Sequence, residues 1–210
     1  MQSETPYNPL EKQNLGISVA NALLARPMVS LPPEDRFVGA GVYAIYYSGD
    51  FPLYARLSAT LREPKTAVPI YIGKAALVGT CTGEFGFDPE IVPELFNKLW
   101  QHAESIKQTR NLSLHHFSCR YLVVDDIWIP LGESLLIEGF VPLWNKVLDG
   151  FGNHDPGKGR QQQQKSPWDV IHGGRAWAER LQPNARTEQQ LTELVQEYIL
   201  QQLPNIEPAR

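Results

Sequence analysis

Two short aromatic runs constrain the fold of this chain more than any other feature of its 210 residues. The first is Gly41-Val42-Tyr43-Ala44-Ile45-Tyr46-Tyr47 and the second is Pro69-Ile70-Tyr71-Ile72-Gly73-Lys74. Aromatic and β-branched residues at this density suit a pleated backbone. Turn residues set the ends: Gly39 and Gly41 precede the first run, Ser48-Gly49-Asp50 follows it, and Gly73 closes the second. Paired as neighbours, such strands bring two tyrosine hydroxyls into one small region. Taken alone, they also fit a plain hairpin with aromatic cross-strand packing.

The residues downstream of these strands add an order of elements. From Pro93 to Ile106, apolar positions at Leu95, Leu99, His102/Ala103 and Ile106 have helical spacing, which stacks Lys98 and His102 on one face. Cys119-Arg120-Tyr121-Leu122-Val123-Val124 reads as a third strand. A second helix spans Ile129 to Phe140, with Glu133 and Ile137 on one face and Ser134 and Glu138 on another. Val141-Pro142-Leu143-Trp144-Asn145-Lys146 then ends in a polar amide and a cation. The pattern is three strands and two helices, with helical extensions at both ends, an α+β composition.

The N-terminal extension is a helix over Asn14 to Arg26 with Leu15, Val19 and Leu23 on one face, stopped by Pro27. Residues 54 to 62 form a helix or long loop inserted between the motif strands, and Gly79 to Pro89 is loop. The C-terminal helix covers Thr187 to Leu203 and opens near a capping box, Thr187-Glu188-Gln189-Gln190. The expected division is 1–36 arm and helix, 37–150 core, and 151–210 basic loop and helical extension, in one compact domain overall.

Composition sets outer limits. A hydrophobic fraction of 42% is that of an ordinary globular protein, and no apolar stretch reaches membrane-spanning length. Met1 to Pro6 lacks a secretory signal pattern, and two cysteines in unlike contexts, Cys81 and Cys119, fit reduced thiols in the cytoplasm. The charge is awkward for a nucleic-acid partner: 19 Lys and Arg against 23 Asp and Glu give −4. Basic residues do gather between Asn145 and Arg180, where Lys146, Lys158, Arg160, Lys165, Arg175 and Arg180 outnumber Asp149, Asp155, Asp169 and Glu179.

Two local patterns suggest other chemistry but lack its full residue set. Gly152-Asn153-His154-Asp155-Pro156-Gly157-Lys158 has phosphate-loop spacing up to the lysine, but Gly159 stands where a magnesium-holding Ser or Thr belongs and no good helix follows. His115-His116 with Cys119 has the wrong spacing for a closed zinc site.

The two strands resemble the GIY-YIG nuclease signature, spelled here Gly41-Val42-Tyr43 and Tyr71-Ile72-Gly73. The order of elements resembles that superfamily's core over about residues 39 to 146: two strands, helix with a cation, strand, helix with one glutamate, asparagine. That resemblance implies their arrangement as a small three-stranded antiparallel sheet flanked by helices. A narrower resemblance rests on Ser30-Leu31-Pro32-Pro33 with Arg36-Phe37, on Trp144-Asn145 and on Asp149 to His154. Lys165-Ser166 with Trp168-Asp169-Val170-Ile171-His172 completes it. It points to type II restriction endonucleases that cut CCGCGG-type palindromes.

The resemblance implies hydrolysis of double-stranded DNA by a homodimer with Mg2+ (or Mn2+), in a cell that also holds a cognate DNA methyltransferase. It implies Glu133 as the metal anchor and Tyr43 as acceptor of the water proton, a role its high intrinsic pKa opposes unless neighbours lower it. His102 would relay that proton, Tyr71 would hold phosphate or orient water, and Asn145 would position the backbone or Glu133. Lys98 occupies a helix position where the family usually has arginine, a departure that bears on rate because lysine makes only a point contact. Candidate DNA contacts are Lys74, Lys146, Asn153, His154, Lys158, Arg160, Lys165 and Arg175. Two other readings stay open: a GIY-YIG-derived DNA-binding protein with weakened or lost catalysis, and a repair or mobile-element nuclease.

Overall fold

A computed structural model describes residues 11–62, 67–76, 92–157 and 162–203. Its centre is an antiparallel sheet of four strands, β1 (Val29–Ser30), β2 (Gly41–Tyr47), β3 (Tyr71–Ala75) and β4 (Phe117–Val123), in the order β1-β4-β2-β3. The expected three strands are joined by β1, which pairs Val29 with Cys119 and Ser30 with Ser118. Two residues are too few to carry an alternation pattern, and Pro32 and Pro33 come soon after, without the donors a ladder needs. The third expected strand begins two residues earlier, at Phe117.

All seven residues of β2 are buried, because the strand is central and covered on both faces. Alternation divides it. Tyr43, Ile45 and Tyr47 join the cluster that contains Leu95, Leu99, Ala103 and Ile106 of α3 (Glu94–Lys107). Val42, Ala44 and Tyr46 join Ile129 and Leu136 of α4 (Ile129–Phe140), with Leu23 of α1 (Lys12–Leu24). The sheet therefore lies between α3 on one side and α1 with α4 on the other. Helix α4 stops at Val141, whose φ of 45° places it in the left-handed region.

The insertion between β2 and β3 is helical. A 3-10 turn at Pro52–Tyr54 leads into α2 (Ala55–Ala59) and a second 3-10 turn at Thr60–Arg62. Three further helices come after α4: α5 (Leu143–Lys146), α6 (Pro167–Ile171) and α7 (Glu188–Gln202). Helix α7 carries the predicted capping box, Thr187 with Gln190. Packing crosses the boundary expected at residue 150: Phe151, Trp168, Ile171, Leu191, Val195 and Ile199 belong to the same buried cluster as Tyr43 and Leu99. The expected loop Gly79–Pro89, Cys81 and the loop residues Lys158 and Arg160 lie outside the described residues.

Candidate active site

Strand register builds the site. Tyr43 of β2 pairs with Gly73 of β3, so Gly73 lies inside the strand instead of closing it. Its lack of a side chain has a specific cause: a β-carbon there would lie 2.4 Å from the Tyr43 hydroxyl and 3.0 Å from the Tyr71 ring. The glycine leaves room for the tyrosine hydroxyl. Gly152 does the same for Tyr71, whose hydroxyl would be 2.9 Å from a β-carbon at that position.

Helix α3 supplies the next layer. Its apolar stripe docks on β2, which turns His102 inward, where it is 2% exposed. His102 Nε2 lies 2.5 Å from the Tyr43 hydroxyl, and the ring stacks on Phe151 with centroids 4.5 Å apart. Burial drives both groups towards neutrality. The Tyr43 pKa is raised well above 10 by burial first, then by Tyr71 and the charge of Glu133. That of His102 falls well below 6.5 through burial and the fields of Lys98, His154 and Arg175. The condition for Tyr43 to act as a base, neighbours that lower its pKa, is not met here, since desolvation penalises a phenolate. The phenol donates and the imidazole accepts. Tyr43 has no solvent exposure, whereas Tyr71 is partly exposed and its pKa is pushed up to about 12 by burial and Glu133.

Lys98 sits one turn before His102, half-buried, with its pKa lowered by desolvation. Its Nζ donates to His154 Nε2 at 3.0 Å. From the opposite layer, Glu133 of α4 pairs with Lys74 of β3 at 2.8 Å. β3 is an edge strand. Only around an edge can groups from the two layers of a sheet converge, so the site forms there. The competing Glu138 is exposed.

Glu133 faces a cation already, and its side chain is 19% exposed. No group of three or more metal-binding side chains exists among the described residues. One accessible carboxylate suits a hard cation that keeps most of its waters, as magnesium does, and not a closed soft-metal cage. Cys119 is no ligand candidate: it is buried, with its thiol pKa pushed up to about 12.

Asn145 takes the backbone-positioning role of the two read for it. Its Oδ1 accepts from Ile72 N–H at 2.9 Å and its Nδ2 donates to Ile72 C=O at 2.8 Å. Ile72 lies between the two site residues Tyr71 and Gly73, so the amide holds β3 in register from the outer side.

Arg175, read above as a candidate DNA contact, is turned into the interior. It is 1% exposed, and all five of its N–H donors are used internally. Two go to Asp169, both at 2.7 Å, and three to the carbonyls of Gly150, Phe151 and Asn153. Trp168 and Trp177 each lie 4.6 Å from the guanidinium carbon. Arg175 moulds the loop that carries Phe151, Gly152 and His154 to the site. Of the other candidate DNA contacts, Lys165 is paired with Glu179 at 2.6 Å, while Lys146, Asn153 and His154 are exposed.

The sequence profile of the Eco29kI GIY-YIG domain matches residues 35–199, more than three quarters of the chain. This chain belongs to the Eco29kI GIY-YIG domain family. Membership corresponds to a restriction-type GIY-YIG nuclease domain, and hence to DNA as partner. Among curated proteins none matches. No described helix is long and apolar enough to cross a membrane.

Two contributors escaped the sequence reading of this GIY-YIG domain: Phe151 as the platform under His102, and Asp169 as the partner that fixes Arg175. The loop that follows Phe151 was singled out, but for phosphate contacts. The signal for Asp169 was its place in Ser166-Pro167-Trp168-Asp169, a helix start at which Ser166 Oγ accepts from Asp169 N–H.

Proposed function

We propose that the chain is a cytoplasmic type II restriction endonuclease that hydrolyses double-stranded DNA at a specific GC-rich palindrome. It would act as a homodimer whose two sites each cut one strand, beside a methyltransferase that protects the host sequence. The observation that carries the reading is the setting of the Tyr43–His102 hydrogen bond, beside the partly exposed Tyr71, Glu133 and Lys98, in a family of restriction-type nucleases.

Because Tyr43 is fully buried and Tyr71 is partly exposed, the attacking water meets Tyr71. The water proton passes to the Tyr71 hydroxyl, that hydroxyl's proton to Tyr43, and Tyr43's to His102 Nε2. The nascent hydroxide attacks phosphorus opposite the leaving oxygen. His102 is a weak base while the site is empty, since burial and three neighbouring cationic or basic groups oppose its protonation. A phosphate against Lys98 cancels part of that field, so the base strengthens only when substrate is in place. Lys98 balances charge on the phosphate, and Asn145 keeps Tyr71 in line by fixing Ile72. Glu133 would hold the divalent cation, which when bound supplies charge neutralisation at the phosphate and leaving oxygen. Its present partner Lys74 would then turn to the DNA backbone.

A second reading, a DNA-binding protein with weakened catalysis, is favoured by Lys98 alone, where the family pattern has arginine. Digestion of mixed-sequence DNA with magnesium, followed by sequencing of the ends, separates the two. Wild type should produce ends of one sequence, and Glu133→Ala should produce none. Cutting by Glu133→Ala at the wild-type rate, or in excess chelator, would sink this site. DNA retained without cutting under any divalent metal would favour the second reading.

A further inference from the structure

Lysine lacks the rigid planar fork with which arginine grips two oxygens. An ammonium at the end of four rotatable bonds loses more orientation entropy when it is fixed on a phosphate. At Lys98 the structure holds a device that removes this handicap. Its Nζ is 3.0 Å from His154 Nε2. An ammonium can only donate, so Nε2 must accept, and His154 must be neutral with its proton on Nδ1.

His154 is exposed, yet it is not a loose surface side chain. On one side the carbonyl of Asn153 accepts from the buried Arg175 at 3.2 Å. On the other, Asp155 pairs with Arg180 at 2.7 Å and caps Gly157 N–H at 2.8 Å. The loop is thus tied before and after His154, and one tie leads into the core. The charged and titratable groups that act with His154 are Lys98, which touches it, Arg175, and His102 on the same helix as Lys98. Burial, Lys98 and Arg175 lower the His154 pKa, in that order, which keeps the acceptor lone pair free.

We propose that His154 is a positioning residue for the same reaction: it engages one N–H of Lys98 and thereby aims the other two at the scissile phosphate as a fixed fork. This rests on the nuclease reading above and deepens it, since the pair does with two residues what one guanidinium does alone. Histidine and lysine together supply the orientation, and lysine supplies the charge.

Two measurements on the full chain test it. The first needs no catalysis. In a proton–nitrogen correlation spectrum of the lysine ammonium groups, the Lys98 signal should be visible, because the hydrogen bond slows its exchange with water. It should vanish in His154→Ala. A Lys98 signal that is unchanged in His154→Ala overturns the proposal, whether or not the protein cuts DNA.

The second is a cycle of cleavage rates. His154→Ala should lower kcat by about 10- to 100-fold when residue 98 is lysine, the scale of loss for a misaimed catalytic group. In the Lys98→Arg background, the same change should cost no more than about threefold, because the planar guanidinium needs no orienting partner. Equal losses in both backgrounds overturn the proposal. A wild type that cuts no DNA sinks the nuclease reading instead, and the ammonium spectrum still decides on His154.

Discussion

The chain contains two tyrosine–histidine pairs of nearly the same geometry, in different surroundings. Tyr43–His102 lies at the β3 edge, and Tyr54–His172 lies between α2, α5 and α6, each with its hydroxyl 2.5 Å from Nε2. In the second pair every polar atom has a partner: His172 Nδ1 donates to Asn111 Oδ1 at 2.8 Å, and Tyr54 accepts from Trp144 Nε1 at 3.0 Å. Burial raises the Tyr54 pKa and lowers that of His172 to about 3. The first pair is neutral for the same reason, but it adjoins a partly exposed tyrosine, a carboxylate and a half-buried lysine. A tyrosine–histidine hydrogen bond is therefore no mark of catalysis. What distinguishes the active-site candidate is a path to solvent and nearby charges that a substrate would rearrange.

The sharpest way to break this comparison is to delete each hydroxyl and measure cleavage. Tyr43→Phe should lower kcat by roughly 10²- to 10⁴-fold with binding nearly intact, the range for losing a proton-transfer group. Tyr54→Phe should leave kcat within about threefold, which is a change small enough to come from packing alone. His102→Ala should resemble Tyr43→Phe, and the double variant should be scarcely worse than either single. Losses that multiply would show two independent roles and end the relay.

The next largest effect concerns residue 98. Lys98→Ala should slow cleavage by about 100-fold or more, as expected when one charge-stabilising donor is removed. Lys98→Arg should keep the rate within about threefold, since the guanidinium replaces a fork that Lys98 already forms with His154. Cleavage by Lys98→Ala at the wild-type rate would remove this helix position from the site.

A third test turns to stability. Removing the guanidinium with Arg175→Met strands the Asp169 carboxylate and three carbonyls in the interior. The unfolding free energy from urea melts should fall by about 3–5 kcal/mol, the usual cost of breaking a buried ion pair. A loss below about 1 kcal/mol, the scale of a surface pair, would contradict the buried geometry.

The smallest effects belong to the sealed pair. Tyr54→Phe strands His172 Nε2 and Trp144 Nε1, and should cost about 1–3 kcal/mol. Acid should also weaken the fold through His172. Its folded pKa of about 3 lies below the ordinary value of 6.5, so between those limits the unfolded chain binds the extra proton. The contribution is intact above pH 6.5 and is lost as pH falls towards 3. His102 acts with the same sign. His172→Asn should flatten part of this decline in a series of urea melts against pH. An unaltered slope would show that His172 is not held neutral by its surroundings.

How far the sequence disclosed these features depended on the range of the interaction behind each. Tyr43, Tyr71, Lys98 and His102 were singled out by the family resemblance, the four-residue helical step put Lys98 and His102 on one face, and the structure brings that face to the tyrosines. Gly73 was visible but misread as a strand end, because its reason lies in the hydroxyl of the opposite strand. Arg175 looked like a DNA contact by charge alone. Its burial depends on Asp169, two tryptophans and three carbonyls from a loop more than twenty residues away, which no periodicity encodes. The Lys74–Glu133 pair was equally hidden, since it requires α4 to reach the β3 edge.

The amide of Asn145 has a consequence for assembly. By taking both polar groups of Ile72, while Trp144 N–H takes the carbonyl of Ile70 at 3.0 Å, α5 occupies the outer margin of β3 with a side chain and a helix start in place of another strand. A second copy of the chain, or an extended peptide, finds no free polar group of Ile72 to pair with there. In the proposed dimer on a palindrome, a sheet continuous across the twofold axis would therefore not run through Ile72 of β3, and the spacing of the cuts would be set by other surfaces.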